Sequence, residues 1–320
     1  SDPFATKPCF IVLGEKFVAS ASYAEPLAAV FGAKAVQEFP PNASVKIDLT
    51  TNKIIENTDV YKWDFTPKFD VMSNWKKSFE DSIIKRTTTD KKVFLGLSSG
   101  YDSGLIVSEL IRLKKPFTSY TIYGAEERVT LDKRIEIVNK TNVGEAKIVD
   151  YDQERYDKHL AFIKSNSSNY PYIDVTGRLV KWMLDDKAAV GLSMICEDAR
   201  NTNAPIYFSG QGADEIFSDY ATRGPHHGTI RGNFTNVRSK WTNFDQGFQR
   251  NFLSKEERIP GAWGIEARYP FLDRYVVQEF LWLNDGLKNL EYKQCLAQLL
   301  RINNFPFSKN EKRGFNPLNS

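Results

Sequence analysis

From Met72 onward the chain alternates short, wholly apolar runs with segments of helical spacing, and this alternation constrains its fold more than any other feature. Met72 to Arg86 has helical spacing, with Trp75, Phe79, Ile83 and Ile84 on one face. "KVFLGL" then reads as a buried strand, and "SGLIVSELIRLKK" as a helix that pairs Ile106 with Leu110 and Val107 with Ile111 and stops before Pro116. "FTSYTIY" is a second strand, "TLDKRIEIVNKTN" a helix and "AKIVD" a third strand. Helical patterns fill roughly 152–200, and "APIYFS" supplies a fourth strand. Such alternation predicts an α/β fold with a parallel sheet flanked by helices, whose ligands bind beyond the carboxyl ends of the strands.

The front of the chain has another character. "CFIVLGEKFVASAS" predicts a hairpin turning at Gly14-Glu15, and "SVKIDLTTNKIIEN" another at Thr51-Asn52. Only "AEPLAAVFG" suggests a short helix there. The expected organisation is a small β-rich segment over residues 1–69 followed by an α/β domain over 70–320.

Composition narrows the partners. The 43 Lys+Arg against 40 Asp+Glu leave a net charge of +3, too balanced to suggest a nucleic acid or a membrane surface. The three cysteines, Cys9, Cys196 and Cys295, lie far apart without CxxC spacing, which predicts reduced thiols and a cytoplasmic setting. No apolar run reaches the roughly 18 residues of a membrane span, and no basic-plus-apolar leader pattern opens the chain. Three histidines argue against a histidine-rich metal site.

Two strand exits carry the chemistry. In "LGLSSGYDSG" an apolar run ends in Ser98, Ser99 and Gly100, and a helix begins at once. Backbone amides of Ser98 to Ser103 can curl round an anion at that helix start, with hydroxyls of Ser98, Ser99 and Ser103 adding donors and Gly100 permitting close approach. Asp102 would repel phosphate unless a cation stood between them, so it implies Mg²⁺. The Walker pattern GxxxxGK[ST] is absent. The second exit, "IYFSGQGADEIFSDY", again ends a strand in Ser209-Gly210 and opens a helix carrying Asp214.

The first loop resembles the Ser-Gly-Gly-x-Asp-Ser pyrophosphate loop of ATP pyrophosphatases. The second resembles the Ser-Gly-Glu-Gly-Ala-Asp-Glu signature of asparagine synthetases and their relatives. "GIEARYPFLD" and "NEKRGFNP" resemble two further signatures of that family in the same order, so the resemblance covers roughly residues 70–318. It implies ATP and Mg²⁺ as cofactors, with the ATP α-phosphate near Ser98, pyrophosphate in the Ser98–Ser103 loop, and Mg²⁺ on Asp102 and Asp214. Ser209, Gly210 and the backbone of Leu97 and Ile122 match nucleotide-contact positions, and Lys312 matches a lysine that offsets charge at the reacting centre. A carboxylate would be activated as its adenylate and a nitrogen nucleophile would displace AMP. Glu266, Arg268 and Asp273, in the third motif, are expected to be structural.

The chain also departs from the family. Ser99 replaces the first glycine of the loop, and Gln211 stands where asparagine synthetases carry a glutamate. A glutamine can orient a substrate by hydrogen bonds but cannot take a proton from ammonium, which argues against plain asparagine synthesis. Residues 8–65 look like the last strands of a glutaminase domain, but the chain begins Ser-Asp-Pro rather than with the catalytic Cys, and Cys9 reads as a buried hydrophobe. The ammonia-producing half is therefore expected to be missing, with nitrogen supplied as free ammonia, as an amine or by a separate glutaminase. The expected substrate is a small-molecule, peptide or glycan carboxylate, and a homodimer is admitted. "ATRGPHHGTIRGNFTNVRSKW", Ala221 to Trp241, reads as a basic surface loop, with no third ligand spaced for His226 and His227. Two rival functions stand beside this one. A pseudo-synthetase that binds nucleotide or a partner without turnover would have no need of Asp102, Asp214 and Lys312. A tRNA- or sulfur-directed relative would need the paired cysteines and basic stripe this chain lacks.

Overall fold

The alternation from Met72 onward folds as a five-stranded parallel sheet in the order β12-β11-β6-β7-β8. The computed structural model describes residues 1–218 and 234–309. The chain divides into two compact units, the first Ser1–Asp64 and the second from Phe65 onward.

In the first unit, β1 (Phe10–Leu13) pairs antiparallel with β2 (Val18–Ala21), followed by helix α1 (Ala24–Phe31). The short β3 (Gln37–Glu38) flanks β1 on its other side. β4 (Ala43–Asp48) and β5 (Lys53–Asp59) form the second expected hairpin, bulged between Lys46 and Ile47. Phe4, Ile11, Val12 and Leu27 make its small core.

The second unit opens with α2 (Ser73–Arg86), whose Trp75, Phe79 and Ile83 are almost fully buried. Each contributes about 2 kcal/mol of apolar burial, and Trp75 and Phe79 stack at 5.5 Å between ring centres. Then follow β6 (Val93–Gly96), α3 (Tyr101–Arg112), β7 (Phe117–Thr121), α4 (Arg128–Asn139), β8 (Gly144–Ile148) and α5 (Gln153–Asn166).

Here the structure corrects one expectation. The stretch 152–200 is not continuously helical, because β9 (Pro171–Ile173) and β10 (Leu179–Trp182) interrupt it as a hairpin. The reason is turn chemistry. Asp174 Oδ1 accepts from the amides of Thr176 and Arg178 at 2.9 and 3.0 Å, and Gly177 takes φ +83°. Local side-chain capping thus overrode a weak helical period.

α6 (Lys187–Asn201) leads into β11 (Ile206–Phe208), α7 (Ala213–Phe217) and α8 (Phe248–Ala262). β12 (Glu266–Arg268), a strand hidden inside the third motif, adds to the sheet beside β11. α9 (Arg274–Trp282), α10 (Asp285–Lys288) and α11 (Gln294–Ile302) complete the described residues. The third-motif residues act structurally. Arg268 pairs with Glu266 at 2.8 Å, while Asp273 caps α9 and pairs with Arg86 at 2.9 Å. No helix among the described residues is long and apolar enough to cross a membrane.

Candidate active site

The strand order creates one topological switch point. β6, β7 and β8 run outward in sequence order, and the chain then returns to lay β11 on the other side of β6. Ile206 lies opposite Val93 and Tyr207 opposite Phe94, so the carboxyl ends of β6 and β11 open side by side. A crevice at such a reversal is where open α/β sheets bind ligands. The two exits approach so closely that a Cβ on Gly210 would lie 3.0 Å from Asp102 Cβ, which explains the glycine.

The first loop is held from within. Ser98 N–H donates to Ser103 Oγ (3.1 Å), Gly100 N–H to Ser98 Oγ (3.1 Å), and Ser99 N–H and Oγ–H to Glu126 Oε2 (2.7 and 2.5 Å). An anion approaching this loop therefore meets the opening turn of α3 rather than the amides of Ser98, Ser99 and Gly100. Leu97 is likewise tied to β7: its N–H donates to Tyr120 O (2.8 Å) and its carbonyl accepts from Thr121 Oγ1 (2.9 Å), with Ile122 buried just beyond.

Beneath the loop lies Arg134, fully buried on α4. It donates to the carbonyls of Ser98 (2.6 Å), Gly100 (2.7 Å) and Pro306 (2.8 Å). Burial pushes its guanidinium down to about 10, which leaves it charged at neutral pH. Its space depends on Gly104, where a Cβ would come 2.5 Å from Arg134 Nη2.

The second loop rests on acids. Ser209 Oγ donates to Glu256 Oε2 (2.9 Å), and the amide of Gly212 to Glu215 Oε2 (3.1 Å). Gly212 takes φ +95°, and a Cβ there would strike Leu272 Cδ2 at 2.3 Å. Gln211 sits between them, and its Nε2 is buried without a hydrogen-bond partner among the described residues. A buried donor of this kind calls for an acceptor beyond those the described residues supply.

The acids of the two loops meet on one cation, Lys293, at the start of α11. Its Nζ lies 2.5 Å from Asp102 Oδ1 and 2.7 Å from Asp214 Oδ1. Tyr292 O–H donates to Asp214 Oδ1 at 3.1 Å. Burial by itself would push the Lys293 ammonium down, but Asp102 and Asp214 together hold it well above the usual lysine range. Burial, reinforced by Asp214, likewise raises the Tyr292 phenol, which stays neutral.

Two carboxylates converging on one cation are a donor set suited to Mg²⁺, which binds through one or two carboxylates and takes its other ligands from water and phosphate. Among the described residues no group of three or more His, Cys, Asp or Glu gathers round a point, so protein alone would not complete such a shell.

Lys293, Arg134 and Glu126 were not singled out by sequence reading. A signal existed for two of them. Arg134 falls on the buried Leu131/Val138 face of α4, and Glu126 lies just past the carboxyl end of β7. Lys293 carried none, being one lysine before an ordinary amphipathic helix. Lys312, the "NEKRGFNP" motif and residues 219–233 lie outside the described residues.

Comparison with known proteins agrees with the motifs. The asparagine synthase family profile matches residues 74–250, more than half the chain. The glutamine-hydrolysing asparagine synthetase of Mesocricetus auratus is 23% identical over 315 residues, covering 88% of this chain and 53% of that protein. The Mus musculus enzyme is 23% identical over 320 residues, covering 90% and 54%. The chain thus spans about half the length of the curated relatives it matches. A more distant likeness, TM-score 0.31 at 19% identity, links 58% of this chain to 76% of an NH3-dependent NAD synthetase from Campylobacter jejuni. Motifs in family order and a profile match across the sheet and its switch point make one conclusion: the chain belongs to the asparagine synthase family.

Proposed function

We propose that this protein activates a carboxylate with ATP as an acyl-adenylate and then forms an amide with ammonia or an amine, releasing pyrophosphate and AMP. The observation that carries this reading is the meeting of Asp102 and Asp214 on one cationic point at the switch of the sheet, beside the opening turn of α3. ATP would lie with its α-phosphate near Ser98 and its pyrophosphate at the α3 end of the Ser98–Ser103 loop, with Ser209, Gly210, Leu97 and Ile122 around the nucleotide.

A substrate carboxylate oxygen attacks the α-phosphorus, and the bond to the bridging oxygen breaks as pyrophosphate leaves. The nitrogen lone pair then attacks the acyl carbon, the nitrogen loses one proton to water or to the departing phosphate, and AMP leaves with the electrons of the acyl–oxygen bond. Arg134 beneath the loop and Lys293 beside it favour the charge that builds on the leaving pyrophosphate. Mg²⁺ held by Asp102 and Asp214 would supply charge neutralisation. The buried Nε2 of Gln211 would donate to a substrate oxygen, and Lys312 would offset charge at the α-phosphate. Because Gln211 cannot serve as a base, the nitrogen enters already neutral, as free ammonia, an amine or the product of a separate glutaminase. Residues 1–69 are read as a β-rich remnant of a glutaminase-like domain, and reduced cysteines favour a cytoplasmic setting.

The test is ATP–pyrophosphate exchange with a panel of carboxylates, followed by mass spectrometry of AMP and amide after ammonium is added. Acid-dependent exchange is expected. ATP binding with no exchange across small acids, peptides, acidic glycans and cytosolic extract would overturn the proposal in favour of a nucleotide-binding pseudo-synthetase.

A further inference from the structure

Lys293 is placed with more constraint than an ordinary surface lysine. The residue is only 2% exposed, and its backbone adopts φ +46°, ψ +50°, the left-handed region that non-glycine residues avoid. The ring of Tyr292 lies 5.4 Å from Nζ, and the Tyr292 hydroxyl donates to Asp214 Oδ1, the same oxygen that Nζ meets. The strained backbone and the buried stem aim one ammonium at the two carboxylates that come from separate loops. Without it, two like charges would face each other at the mouth of the crevice.

We propose that Lys293 is the resident counter-cation of the Asp102–Asp214 pair, which a divalent ion must displace in order to bind. Two carboxylates and one ammonium carry a net charge of −1; a divalent ion added with the ammonium in place would set two cations against each other. Displacement becomes favourable when the incoming metal brings a polyphosphate, whose oxygens give the ammonium a new partner. The site therefore takes metal with polyphosphate and rejects metal alone. The proposal rests on the functional reading only in taking Asp102 and Asp214 as the metal ligands.

Electron paramagnetic resonance of Mn²⁺ tests this without ATP, acid or turnover, so a protein that never forms an adenylate still gives an answer. The wild-type chain should bind Mn²⁺ alone weakly, and at least about tenfold more tightly once inorganic pyrophosphate is present. Lys293→Met should tighten the binding of Mn²⁺ alone by about tenfold or more, and adding Asp214→Asn should abolish that gain. Lys293→Arg should remain as weak as wild type. A folded Lys293→Met that binds Mn²⁺ no better than wild type overturns the proposal. Should that variant fail to fold, the wild-type titration decides: Mn²⁺ bound as tightly alone as with pyrophosphate overturns it equally.

Discussion

The two strand exits look alike in sequence, yet the fold gives them different undersides. Each leaves an apolar strand through serine and glycine, and each ties a serine hydroxyl to a buried glutamate, Ser99 to Glu126 and Ser209 to Glu256. Only the first also carries a buried guanidinium, Arg134, gripping its carbonyls. The second gains another acid, with Glu215 on the amide of Gly212. The first exit thus has a guanidinium directly on its carbonyls, whereas the second is contacted by carboxylates, with Lys255 Nζ 3.4 Å from Glu256 behind them, and turns Asp214 toward Lys293. A strand-exit motif specifies backbone shape, and what lies beneath it specifies which charge it will hold.

The largest effect expected from breaking this contrast is at Arg134. Arg134→Met removes the short guanidinium hydrogen bonds to the carbonyls of Ser98, Gly100 and Pro306 and should cost about 3 kcal/mol in denaturant unfolding. A loss below about 1 kcal/mol would mean the cradle stands without its cation, and the contrast between the exits would lose its basis.

A smaller effect is expected where the exits touch. Gly210→Ala adds a methyl 3.0 Å from Asp102 Cβ, which pushes the loops apart by a few tenths of an ångström. We expect roughly tenfold weaker nucleotide binding by calorimetry for about 1 kcal/mol of stability. Binding that is unchanged would show that the spacing between the exits has slack.

The mildest test asks whether the carboxylates of the exits, rather than burial, decide the charge of Lys293. Lys288, five residues earlier and also buried, has the carbonyl of Leu281 as its acceptor at 2.8 Å. Burial pushes it down to about 8 from 10.5. Between those values the unfolded chain binds more protons than the folded one, so this residue makes stability rise with pH, by about 1 kcal/mol per unit at most. Lys293 is shifted the other way, so its contribution is whole below the ordinary lysine range and is lost only above it. Thermal melts from pH 8 to 9.5 should therefore show wild type gaining on Lys288→Met, whereas Lys293→Met should show no such change of gap. A gain that persists unchanged in Lys288→Met would assign the rise to another group.

What the sequence by itself determined is the scaffold and the places where chemistry could occur. Apolar runs such as Val93–Gly96 and Ile206–Phe208 are strands because they can be buried on both faces, and their small-residue exits open helices in any parallel fold. That local pattern, with the order of the motifs, was enough for the sheet, its helices and the family. The hairpin at 171–182 and the edge strand at 266–268 escaped, one because side-chain capping at Asp174 outweighs periodicity, the other because three residues are too few for a period.

Only the tertiary structure decided which charges meet. Asp102 and Asp214, linked in the sequence only through the family resemblance, converge on Lys293 because β11 returns beside β6, a long-range pairing that no local pattern encodes. Lys293, 191 residues from Asp102 along the chain, reaches them because α11 packs against α3. Arg134 becomes a brace because, among the described residues, its acceptors are the carbonyls of the loop and of Pro306. Electrostatic partnership depends on distance through space and on exclusion of water, and the fold sets both.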